Sequence, residues 1–140
     1  MLDFLNIEKR AGKQVKNLLL HKSTVAGIEP ATAKFVISIR NDQVVVRLFS
    51  GNTPVRIIEL KEIADFFGKQ YNPDGVAPFR AYLAKLATDN QMPVESLHII
   101  ISEREKDKQK TMACYLYNMA KPIKEIPTLE ILNNFNTDTD

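Results

Sequence analysis

Cys114, His21 and His98 are the side chains with which this chain could most readily build a nucleophile or hold a soft metal ion. Nucleophilic catalysis needs a thiol or hydroxyl within hydrogen-bond reach of a base. A tight zinc site needs three or four ligands brought together. One cysteine and two histidines far apart in sequence do not supply that set, so no metal is expected. The chain also lacks a GxGxxG turn, a Walker-type phosphate loop, an HExxH helix and an EF-hand loop, and no cofactor is expected. The acidic pairs Glu59/Glu62 and Glu62/Asp65 sit at the start of a lysine-containing helix and read as solvated surface. Carboxylates distant in sequence do converge in some enzymes, so acid–base catalysis stays as a third reading.

A second set of residues is richer. Lys34, Arg40, Arg47, Arg56, His98, Arg104, Tyr115 and Tyr117, with Phe49, combine guanidinium and ammonium groups with aromatic rings. Such groups take carboxylates or phosphates and stack on flat partners. They act together only if the strands that carry them present one face.

The runs AKFVISIR and QVVVRLFS flank Asn41-Asp42, a two-residue hairpin signal. With those two residues as the loop, Phe35, Ile37, Ile39, Val44, Val46 and Leu48 share an apolar side. The other side pairs Arg40 with Gln43, Ser38 with Val45, Val36 with Arg47 and Lys34 with Phe49. Gly51-Asn52 is a second turn into PVRII. That register adds Val55 and Ile57 to the apolar side and sets Arg56 opposite Arg47. Pro54 makes this third strand short or an edge. The charged run EREKDKQK separates LHIII from MACYLY. Taking Asp107-Lys108 as its turn puts Leu97, Ile99, Ile101, Met112, Cys114 and Leu116 on the apolar side. His98, Arg104, Tyr115 and Tyr117 then fall on the mixed side, across the hairpin from Cys114. The run is therefore a hairpin tip with Glu105 facing Lys110, not a linker.

Helical periods complete the chain. Residues 2–22 carry Phe4, Ile7, Ala11, Val15 and Leu18 on one stripe, with Lys9, Lys13 and Lys16 opposite. Residues 23–32 read as a loop, which leaves His21 at the C-terminal end of this helix, where a cation is favoured. LKEIADFF stops at Gly68, a helix spans roughly 76–89, and a short one spans 127–134. The order α-βββ-α-α-ββ-α describes an α+β fold: an antiparallel sheet of about five strands with helices packed on one face. Residues 1–135 are read as one domain and 136–140 as a frayed tail. No internal repeat is visible in the sequence.

With 140 residues, 44% hydrophobic and 26% charged, the chain can bury a core without disulfides or metals. A single cysteine excludes an internal disulfide and fits a reducing compartment. No run of about 18 apolar residues occurs, so no membrane span is expected. Asp3, Glu8, Lys9 and Arg10 interrupt any signal-peptide core, and the expected location is cytoplasmic. These readings converge on a non-enzymatic protein-binding or assembly module, working with a protein partner or by self-association through the mixed basic and aromatic face. Single-stranded nucleic-acid binding on that face is the alternative. The formal charge of +2 favours the protein partner.

Overall fold

The computed structural model describes residues 4–135, apart from the side chains of Phe4, Leu5 and Lys106. The Phe4 side chain, expected on the first helical stripe, and the tail at 136–140 lie outside what is described. Two hairpins have the register that alternation predicts. β1 (Ala33–Arg40) and β2 (Gln43–Ser50) pair Phe35 with Leu48, Ile37 with Val46 and Ile39 with Val44. Asn41 and Asp42 have φ of 51° and 63°, a left-handed pair that matches strand twist and that these residue types tolerate. β4 (Leu97–Lys106) and β5 (Gln109–Asn118) pair Ile99 with Leu116, Ile101 with Cys114 and Glu105 with Lys110. The turn at Asp107-Lys108 repeats the left-handed pair. The hairpins join along β1 and β4, with Ile37 opposite Ile99.

The sheet has six strands rather than five, in the order β3-β2-β1-β4-β5-β6. β6 (Lys121–Ile126) follows a turn at Met119-Ala120. It carries Pro122 and three charges, and only Ile126 is buried, so it shows no alternation. β3 (Thr53–Ile58) is present, but its face is not the expected one. A bulge opposite Leu48/Phe49 shifts the pairing, so Arg47 faces Ile57 and Leu48 faces Arg56. Ile57 therefore leaves the apolar side and is 54% exposed. A bulge inserts one residue and turns every side chain beyond it to the other face.

The four α-helices of the described residues all lie on the apolar side. α1 (Phe4–Ala26) contributes Val15, Leu18 and Leu19 to the core, α2 (Leu60–Phe66) Ile63, α3 (Val76–Asp89) Phe79 and Leu83, and α4 (Thr128–Phe135) Ile131 and Phe135. They close over Phe35, Ile37, Leu48, Ile99, Ile101 and Leu116, all fully buried. Burying each such side chain contributes roughly 1.5–3 kcal/mol. α1 runs past its expected end at residue 22 because Ser23 is buried on the same stripe and its hydroxyl donates to the Leu20 carbonyl at 3.0 Å. Gly27, at φ 75°, is the true stop, with Ile28 N bonded to the Ser23 carbonyl at 2.9 Å. His21 thus lies inside α1 and packs on the Phe66 ring at 5.3 Å. No helix among the described residues is long and apolar enough to cross a membrane.

The two halves repeat each other, which the sequence conceals. Each runs helix, one 3-10 turn, three-stranded meander, helix. The same bonds recur: Gly27 N to Thr24 O and Gln91 N to Thr88 O, both 3.1 Å, and Gly51 N to Thr32 O and Met119 N to Ser96 O, both 2.8 Å. The bulge opposite Leu48/Phe49 recurs opposite Leu116/Tyr117, and Pro54 recurs as Pro122. Buried pairs correspond while identities change: Val15 with Phe79, Ser23 with Ala87 and Phe35 with Ile99. Across the seam, Lys34 faces Ser102 and Ser38 faces His98, so an approximate twofold passes through the Val36–Ile100 pair.

Candidate functional site: the open face of the sheet

One row of side chains crosses all six strands on the face away from the helices: Ile57, Arg47, Val36, Ile100, Tyr115 and Glu125. The flanking rows carry Pro54, Phe49, Lys34 and Ser102 on one side and Val45, Ser38, His98 and Tyr117 on the other. None of these side chains joins the helix-covered core. The strands therefore bring Lys34, Arg40, Arg47, His98, Arg104, Tyr115 and Tyr117 to one surface. Among the described residues, no helix contributes to it.

Arg56 is the exception, and this corrects the expected stacking of Arg56 on Arg47. The bulge puts Arg56 on the helix side, where its Nη2 donates to both Glu62 carboxylate oxygens at 2.8 and 2.7 Å. Lys22 Nζ and the Glu59 backbone N–H add bonds of 3.0 Å each. Glu62 is thus a capping and ion-pairing group of α2, not idle solvated surface. Burial alone would raise its carboxyl. The bonds from Arg56, from the Glu59 amide and from Lys22 outweigh that and hold it down at about 2. The stabilisation is present above the ordinary carboxylate range and is lost as pH falls through about 2. Glu62→Gln should cost about 1–2 kcal/mol at neutral pH. The gap in midpoint denaturant concentration between the two proteins should close progressively as pH falls from the ordinary carboxylate range toward 2.

On the open face the charges are less well served. Arg104 donates to the Tyr115 hydroxyl, lies over its ring at 5.7 Å and pairs with Glu125 at 3.2 Å. Arg47 has Phe49 under its guanidinium at 5.3 Å and, among the described residues, no carboxylate within ion-pair distance; its Nε, like that of Arg104, is buried without an acceptor among them. Burial first, and then the Arg40 charge, lower its pKa from the usual arginine value. Ser38 is 2% exposed, and its hydroxyl also lacks a partner among the described residues. A buried hydroxyl without a bond costs about 1 kcal/mol or more. Ser38→Ala should therefore raise the thermal midpoint of the free protein by roughly 2–6 °C; a fall would mean that the hydroxyl is satisfied in solution.

The remaining candidates for chemistry are placed apart. Cys114 is fully buried on the helix side and its thiol donates to Thr128 Oγ1 at 3.8 Å. Burial pushes the thiol up to about 12, against the lowering effect of that bond. His98 lies on the opposite face, with Nδ1 3.1 Å from the Ser96 carbonyl. Sequence reasoning missed Glu125 and Ile57 as members of the open face. Glu125 sits on the strand without alternation, and Ile57 sits beyond the bulge. Compared with family models, with curated proteins and with solved structures, the chain finds no match, so its functional reading rests on its own residues.

Proposed function

We propose that the chain is a non-enzymatic protein-binding or assembly module that works through the open face of its sheet. The observation that carries this reading is Arg47: a partly buried guanidinium that no carboxylate among the described residues pairs with, set between the Phe49 ring and the exposed Ile57. Arginine, aromatic rings and exposed aliphatic groups are the composition of protein interfaces. Single-stranded nucleic acid is the weaker reading of the same surface. A backbone-tracking groove needs a run of free cations, whereas Arg56 lies on the other side and Arg104 is held by Glu125.

The test is site-specific photocrosslinking. A benzoylphenylalanine at Tyr117 should give discrete protein adducts or dimers of the chain in cells. The same probe at Lys13, on the exposed side of α1, should not. Equal yields from both positions reject the reading. Nuclease-sensitive adducts at Tyr117 would move the assignment to nucleic acid.

A further inference from the structure

The two halves of the open face use the same positions with different charge. On the second half a cation, a phenol and a carboxylate form one cluster: Arg104, Tyr115 and Glu125. The bulges and hairpin registers make Arg40, Arg47 and Ile57 their equivalents on the first half. Two cations and an alkyl chain therefore stand where the other half is internally neutralised. Among the described residues, no carboxylate lies within ion-pair distance of Arg40 or Arg47. Asp42, in the adjoining turn, is directed to Arg80 at 4.0 Å. Two positions along β1 from Arg40 lies the unpartnered Ser38 hydroxyl, and Ile57 leaves an exposed aliphatic wall beside Arg47.

We propose that the first half of this face binds a segment of another protein that places an aspartate or glutamate side chain where Glu125 stands on the second half, flanked by apolar residues. This rests on the protein-binding reading above and specifies the partner's chemistry. Charge complementarity selects the occupant. The planar Arg47 guanidinium, stacked on Phe49, presents its donors in the fork that a carboxylate matches. Ile57, exposed beside Arg47, offers alkyl surface on the outer side, where a phosphate chain would gain nothing and leucine-like neighbours of a carboxylate would be desolvated. The second half cannot take the same ligand, because Glu125 already holds Arg104 and would repel a second carboxylate.

The test uses a fluorescein-labelled peptide alternating leucine with aspartate, and its counterpart with asparagine for aspartate, read by anisotropy. Ile57→Glu supplies on the first half the carboxylate that the second half already has. Its site is exposed, so folding is retained and checked by the thermal midpoint. The aspartate peptide should bind the natural chain and lose about tenfold or more in affinity against Ile57→Glu. The asparagine peptide should bind weakly to both. Equal binding of the two peptides, or no loss in Ile57→Glu, overturns the proposal while leaving a charge-blind protein interface standing. Failure of both peptides to bind also overturns it, and crosslinking from Tyr117 then decides the broader reading alone. Two further results overturn it by naming another occupant. One is concentration-dependent dimerisation that Ile57→Glu abolishes. The other is displacement of the peptide by a single-stranded oligonucleotide with a steep salt dependence.

Discussion

Phe135→Ala should remove about 3–5 kcal/mol of folding stability, read as a fall in the midpoint of chemical denaturation. Phe135 is 1% exposed at the end of α4, and its ring meets Phe79 edge-on at 5.9 Å and 75°. Both rings belong to the core beneath the helices, so truncation leaves a cavity that neighbouring side chains fill only in part. The internal repeat provides the control. Phe67 holds the equivalent position after α2 but is half-buried, and among the described rings it meets Phe66 alone, at 5.2 Å. Phe67→Ala should cost clearly less, about 1–2 kcal/mol. Equal losses at the two positions would show that α4 is not the better-packed member of the pair.

The second large effect should come from Glu8. Its carboxylate accepts from the Thr128 N–H at 2.6 Å and from the Leu129 N–H at 3.0 Å, so a side chain of α1 caps the first turn of α4. The first N–H groups of a helix have no partner within it, and negative charge there also meets the helix dipole favourably. Glu8→Ala leaves two part-buried donors unmet and should cost about 1–3 kcal/mol. Hydrogen exchange gives the sharper readout, with protection lost at the Thr128 and Leu129 amides before the strands respond. Glu8→Gln keeps one acceptor and should fall between. Unchanged protection in Glu8→Ala would mean that α4 is held by packing alone.

Much of the fold could be read directly, for an identifiable reason. Where a two-residue turn separates alternating strands, one register makes one side apolar and the other mixed, and Asn41-Asp42 and Asp107-Lys108 both allowed it. Those registers also put Arg40, Arg47, His98, Arg104, Tyr115 and Tyr117 on one face. Reading failed where tertiary context outweighs local pattern. Thr24, Val25 and Ala26 continue α1 because Ser23 beside them is buried and bonded. An extra residue in β3 carried Arg56 to the far side. β6, with one buried residue, has no alternation to detect. The repeat was hidden because the halves conserve burial and backbone bonds rather than residue type. The contrast on which the proposed carboxylate site depends, Glu125 against Ile57, falls on these two least legible strands.

The outer strands also bear on what this sheet cannot become. An open six-stranded sheet presents two edges of unpaired backbone, which is a template for end-to-end growth into fibrils. Here each edge strand carries a proline, which has no N–H to donate, beside a bulge that breaks the ladder and increases the local twist. A further copy arriving at Pro54 or Pro122 meets a missing donor and a kinked backbone. Because the repeat duplicates the device, both ends of the sheet are blunted alike. Backbone pairing at either edge is thereby disfavoured, and under the proposed function the contacts fall on a face where side chains, not backbone, select the partner.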